Sequence, residues 1–230
     1  MERHFDEELE VIRRKLVEMG GLAEQLIGRS IQILVSRDNT LSEEVWPAEQ
    51  IVNQKQIEID EGCLELLARH QPMATDLRFL VSTLRITGEL ERIADQAVNI
   101  TEAALVLIVR PEVKPLIDIP RMATLASGMV KDSLDAFVRK DTRLARAVLT
   151  RDDQVDGYKN QIFRELLTYM LSDPKTIERA IELILISRHL ERIADHATNV
   201  AEDAIYYVEG RDVRHHAGEA AAPSGESRPF

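Results

Sequence analysis

The sequence predicts an all-α fold of two tandem three-helix bundles, six long helices in total. Three observations carry this. Apolar residues recur at alternating spacings of four and three; Gly and Pro are sparse and gather at a few boundaries while aromatics make up only 4%; and a block of the first half returns in the second.

In the first segment Phe5, Leu9, Ile12, Leu16, Met19, Ala23, Leu26 and Ile33 form one helical stripe, with Ser30 in the remaining slot. Ser36-Arg37-Asp38-Asn39-Thr40 interrupts it with turn formers. A second helix is predicted over 41–69, with Pro47 in its first turns, ending before His70-Gln71-Pro72. A third runs over 73–109. Arg110-Pro111 through Pro115-Leu116 to Pro120 reads as a linker. The pattern then repeats, with helices over 121–139, 142–171 and 175–209 and a break at Ser172-Asp173-Pro174. The chain divides into a first bundle (1–110), a linker (111–120), a second bundle (121–209) and a tail (210–230). The tail lacks apolar periodicity and is expected to be disordered; its His215-His216 pair is expected to be solvent-exposed.

The repeat is explicit. Leu90-Glu91-Arg92-Ile93-Ala94-Asp95-Gln96-Ala97-Val98-Asn99 returns as Leu190-Glu191-Arg192-Ile193-Ala194-Asp195-His196-Ala197-Thr198-Asn199, an offset of 191 minus 91, or 100 residues. Glu102 and Glu202 extend the match. On a helical wheel Ile86, Leu90, Ile93, Ala97, Ile100, Ala104 and Leu107 share one face. Glu91, Asp95, Asn99 and Glu102 fall opposite, within an arc of about 80°. The last helix repeats this, with Ile186 to Tyr207 inside and Glu191, Asp195, Asn199 and Glu202 outside.

A net charge of -11 argues against a nucleic-acid binder, which needs a basic face, and points to metals or basic partners. Cys63 is the only cysteine and reads as a small buried hydrophobe. The N-terminus has no apolar signal core, and charges interrupt every apolar stretch, so the expectation is a cytoplasmic protein that meets membranes only through partners.

The second helix carries oxygen donors at Glu49, Asn53, Gln56 and Asp60, and the fifth carries Asp152 and Asp156. If each packs beside the third helix of its own bundle, two acidic rows meet at a groove and supply hard oxygen ligands, one carboxylate site per bundle. The ordinary reading of such rows is a solvated face. Two features favour metal: no lysine relieves the repulsion along the ridges, and the halves diverge at flanking positions 96, 98, 101 and 103 while matching at the Glu, Asp, Asn and Glu. Enzymatic machinery is not recognisable: no histidine follows a Glu by three residues, and P-loop, Gly-x-Ser-x-Gly and His-Glu-x-x-His patterns are missing. His196 is expected at the rim of the ridge.

Gln71-Pro72-Met73-Ala74-Thr75-Asp76-Leu77-Arg78, the doubled Glu-Arg-Ile-Ala-Asp motif, Met19-Gly20-Gly21 and Tyr206-Tyr207-Val208-Glu209-Gly210 resemble the PhoU family over about residues 3 to 215. The resemblance implies two three-helix bundles related by a pseudo-twofold, commonly dimeric. It also implies a non-enzymatic negative regulator of phosphate uptake and of the phosphate-starvation response, linking the ATPase-driven phosphate ABC importer, through its ATPase subunit, to a membrane sensor histidine kinase. The family's Glu/Asp-x-x-x-Asp metal motifs fall here on Glu91 with Asp95, Asp152 with Asp156, and Glu191 with Asp195. The fourth falls on Glu49 with Asn53, a neutral oxygen donor, so the first bundle is expected to bind more weakly or to need Asp60. Iron, manganese, magnesium and zinc all remain open. Two competing readings are a metal-dependent phosphoester hydrolase and a helical scaffold unrelated to phosphate. A homodimer is also expected from apolar positions outside the core stripes, Leu105, Ile108 and Ile205.

Overall fold

The computed structural model describes residues 2–213, with side chains from Phe5 onward. The expected disordered tail and His215-His216 lie outside the described residues, apart from the few positions up to Val213. Within the described residues the order is α1 (Glu2–Ser36), a 3-10 helix (Asn39–Glu44), α2 (Val45–His70), α3 (Ala74–Ile108), α4 (Asp118–Arg139), α5 (Thr142–Leu149), α6 (Asp152–Ser172), a 3-10 turn (Pro174–Thr176) and α7 (Ile177–Glu209). None of these helices is long and apolar enough to cross a membrane.

Three boundaries differ from the sequence expectation. The second helix begins at Val45, because Asp38 accepts from the Thr40 N–H at 3.0 Å and the Thr40 hydroxyl at 2.7 Å and winds the preceding residues as 3-10. Pro47 then sits in the first turn of α2, where its missing N–H has no intrahelical partner to lose. The fourth helix starts at Asp118 and takes Pro120 into its own first turn. The predicted fifth helix is two, broken at Thr150 and Arg151, where Thr150 turns its hydroxyl back to the Ala147 carbonyl and Arg151 pairs with Asp132 of α4.

The duplication runs through every helix. Buried Met19, Ala23 and Ile27 of α1 recur as Met122, Ala126 and Val130 of α4, at 122 minus 19, or 103 residues. Ser30 and Ser133 are both buried and donate to the Ile27 and Val130 carbonyls at 2.8 Å. Arg37 and Lys140 follow these helices in the same left-handed conformation, φ 56° and 57°. Val52, Ile59 and Cys63 of α2 recur as Val155, Ile162 and Leu166 of α6, all buried. By this register the 3-10 helix before α2 corresponds to α5.

The core stripes of α3 and α7 are buried over their whole length, each Leu or Ile contributing roughly 1.5–3 kcal/mol. The two helices also pack on each other more extensively than any other pair. Arg78 Nε donates to the Tyr207 carbonyl, Ser82 Oγ to the Asp203 carbonyl, Glu89 bonds His196, and Gln96 bonds His189. Each step of four or seven residues up α3 is matched by an equal step down α7, so the pair is antiparallel about a pseudo-twofold. At one end of this seam Phe79 stacks on Phe137 at 5.6 Å, with Tyr207 tilted against both rings. Gly210 closes α7 at φ 67°, a backbone conformation in which a side chain would be strained, and a Cβ there would meet the Arg78 guanidinium at ordinary contact distance. The Asp-Leu-Arg motif thus ends in a residue that fastens the start of α3 to the end of α7.

At the opposite end Arg37 donates to the Ile108 carbonyl at 2.6 Å and caps α3. Lys114, in the connection between bundles, has only 3% of its side chain exposed; it bonds Glu165 of α6 and lies 3.7 Å from Asp118.

The apolar positions expected outside the core stripes are drawn toward the core. Ile205 is wholly buried, because α4 and α5 also cover α7, and Leu105 and Ile108 are half-buried against the core. The exposed apolar side chains lie elsewhere, including Phe163, Leu167 and Leu171 along α6.

Candidate metal centre

Helices α2 and α3 lie side by side in the first half, as do α6 and α7 in the second, so the acidic rows do meet across a seam. In the first half Asn53 Nδ2 donates to Glu49 Oε1, one turn earlier on α2. The other end of that amide, Asn53 Oδ1, is buried with no hydrogen-bond partner. Across the seam, Glu91 is held above the usual carboxylate range by burial first, then by the charges of Asp95 and Glu49, against the opposing pull of Arg92 and His196. Glu49, Asn53, Glu91 and Asp95 therefore form one electrostatic set.

In the second half Asp152 is pushed up by burial, then by Asp195, Asp156, Asp153 and Glu191. Asp195 is pushed up by burial, then by Glu191 and Asp156, with His196 and Lys159 opposing. Four carboxylates from two helices, Asp152, Asp156, Glu191 and Asp195, thus share one field. The expectation that no lysine relieves the ridges fails here. Lys159 Nζ donates to Asp156 Oδ1 at 2.8 Å and to Glu191 Oε1 at 2.6 Å, bridging α6 and α7. Those two bonds hold its ammonium above the usual lysine range. The spacing that could have revealed it was available: Lys159 stands three residues after Asp156 and seven after Asp152, on their face of the helix.

Other expected ligands go elsewhere. Asp60 accepts from the Thr87 hydroxyl at 2.8 Å, and burial raises its pKa. Asn99 and Glu102 line a shallow groove between α3 and α7 with Glu182 and His189. Asn199 donates to Glu89 at 3.0 Å across the same pair of helices, and half-buried Glu202 follows it on α7. His196, expected at the rim, is half-buried in this seam, 2.7 Å from Glu89. Burial would raise the Glu89 pKa, but His196, Asn199 and Arg92 together pull it below the usual range. Glu89 had no sequence signal, and its pairing with His196 and Asn199 had none either, since they meet across the bundles rather than along one helix.

Among the described residues no three acidic, histidine or cysteine side chains form a closed coordination shell. The first-half set nonetheless suits a hard cation: its donors are all oxygens, and one of them, Asn53 Oδ1, is buried and unused.

A duplicated all-helical chain with a carboxylate seam in each half defines a narrow class of two-bundle proteins. The PhoU domain matches this chain twice, over residues 16–104 and 119–204. The chain belongs to the PhoU family. It is 39% identical over 214 residues to the phosphate-specific transport system accessory protein PhoU homolog of Pseudomonas putida, covering 93% of this chain and 84% of that protein. It is 40% identical to the corresponding Aquifex aeolicus protein, covering 90% of this chain and 94% of that one. Its fold matches the crystal structure of PhoU from Pseudomonas aeruginosa with a TM-score of 0.86 at 38% identity, covering 90% of this chain and all of that one. The phosphate transport system regulatory protein PhoU from Streptococcus pneumoniae matches with a TM-score of 0.82 at 28% identity, covering 91% and 99%.

Proposed function

We propose that this chain is a cytoplasmic, non-enzymatic adaptor that restrains phosphate uptake and the phosphate-starvation response, coupling the phosphate ABC importer to the phosphate sensor histidine kinase. The observation that carries this reading is the twofold PhoU match, with relatives named as accessory proteins of phosphate-specific transport aligned over most of their length. In this reading Glu49, Asn53, Glu91 and Asp95 hold a divalent cation in the first bundle, and Asp152, Asp156, Glu191 and Asp195 can hold one in the second. A bound cation would supply positive charge that draws the two rows together and sets the shape of the docking surface. The chain's own residues supply oxygen donors on rigid helices and no recognisable general base or nucleophile.

Deletion of the gene tests the regulatory half. A phosphate-starvation reporter becomes active in phosphate-rich medium, and the parent chain restores silence; a reporter that stays silent in the deletion strain refutes the reading. For the metal half, Glu91→Gln with Asp95→Asn removes most of the metal-dependent rise in Tm, since a ligand that binds only the folded state stabilises it.

A further inference from the structure

The second bundle's carboxylate seam already contains a cation. Lys159 spans α6 and α7 with two charge-assisted bonds, to Asp156 at 2.8 Å and Glu191 at 2.6 Å. The duplication supplies an internal control. By the register that pairs Val52 with Val155 and Ile59 with Ile162, Lys159 corresponds to Gln56, at 159 minus 56, or the same 103 residues. Gln56 is neutral, and its amide lies toward Gly88 on α3. The first bundle therefore presents an unused buried oxygen, Asn53 Oδ1, and, among the described residues, no ammonium bridging its seam, although it has one carboxylate fewer. The second presents four carboxylates of which two are already bonded to an ammonium.

We propose that Lys159 is a tethered counter-ion that competes with metal at the second bundle, so that a divalent cation loads the first bundle directly and enters the second only by displacing the Lys159 ammonium from Asp156 and Glu191. This rests on the metal-binding reading above and reverses the ranking expected from sequence, where the missing carboxylate at Asn53 made the first bundle the weaker. Charge count alone favours the second bundle. Displacement, however, requires breaking two bonds to charged groups and releasing a side chain that is only 26% exposed, a cost that the first bundle does not carry. The two halves thus respond over different ranges of cation concentration.

Calorimetric titration of the chelator-stripped full chain with manganese(II) chloride tests this. The parent takes up one ion in a strong step and a second, if saturated, at least about tenfold more weakly. Lys159→Gln, which installs the residue of the equivalent position, strengthens the weak step by about tenfold and leaves the strong step unchanged. Glu91→Gln with Asp95→Asn abolishes the strong step instead. Without metal, Lys159→Gln melts below the parent, and manganese reverses the difference. If the parent binds two ions equally and Lys159→Gln moves neither step, the counter-ion role is overturned while metal binding stands. If neither protein takes up manganese, the metal-binding reading fails and this proposal with it.

Discussion

Lys114, in the connection between bundles, is a buried lysine, and its removal should be costly. Its ammonium faces Glu165 and Asp118, whose side chains are 37% and 11% exposed; Gln161 donates to Asp118 at 3.3 Å. Removing one partner of a buried pair costs about 3–5 kcal/mol. Glu165 is more than a third exposed and will be partly rescued by water, which lowers the figure to about 2–3 kcal/mol. For a chain of this size each kcal/mol moves Tm by about 2–4 °C. Lys114→Ala is therefore expected to melt about 4–12 °C lower by circular dichroism. Lys114→Met with Asp118→Asn, which removes the stranded charge and retains the apolar stem, should recover at least half of that loss. A Lys114→Ala protein melting within about 2 °C of the parent would refute the reasoning that this ammonium fastens the connection to α6.

Three further outcomes are accessible by similar means. A Cβ at Gly20 would stand 2.1 Å from Leu134 Cδ1 across the α1–α4 contact; Gly20→Ala is expected to destabilise the parent yet to stabilise a Leu134→Ala background by about 1 kcal/mol, the helix-propensity gain alone, and equal effects in both backgrounds would dismiss the close approach. Glu24 is held above the usual carboxylate range by burial, with Asp135 and Asp132 adding and Lys131 opposing. Its folded pKa is raised, so its charged form weakens the fold above that value; Glu24→Gln should raise Tm at neutral pH, by about 1–2 °C, and the gain should vanish as pH falls through the raised pKa toward the ordinary one. Cys63 is fully buried and its thiol is pushed up to about 12 by burial, with Asp60 adding; it should ignore a thiol reagent in the native state and react only on unfolding.

Much of the fold was legible because apolar periodicity and helix punctuation are local properties. The stripes of α3 and α7 are buried as their spacing requires. The division of the fifth helix was not legible: no Pro or Gly stands at Thr150 or Arg151, and the turn depends on Arg151 reaching Asp132 of another helix. For the candidate site, the expected facing of acidic rows is present as geometry: Glu49 of α2 acts on Glu91 of α3, and Asp195 and Glu191 of α7 act on Asp152 of α6. Glu102 was misplaced because it lies eleven residues beyond Glu91, about 16 Å along the axis, where the neighbour across the groove is α7. Lys159 was overlooked because the ridge was read by its acids; the cation between them occupied a ridge position all along.

The antiparallel seam of α3 and α7 has a consequence for how such a chain could have arisen. Two unlinked copies of one half, meeting through this helix, would have presented Glu89-like and His196-like positions twice over, obliged to be identical and dependent on protein concentration to meet. Joined in one chain, the halves meet at a high effective concentration, and each symmetric position is free to change alone. Glu89 with His196 and Gln96 with His189 are that freedom in use: one contact has become an acid held by an imidazole, while its mirror image remains a neutral amide.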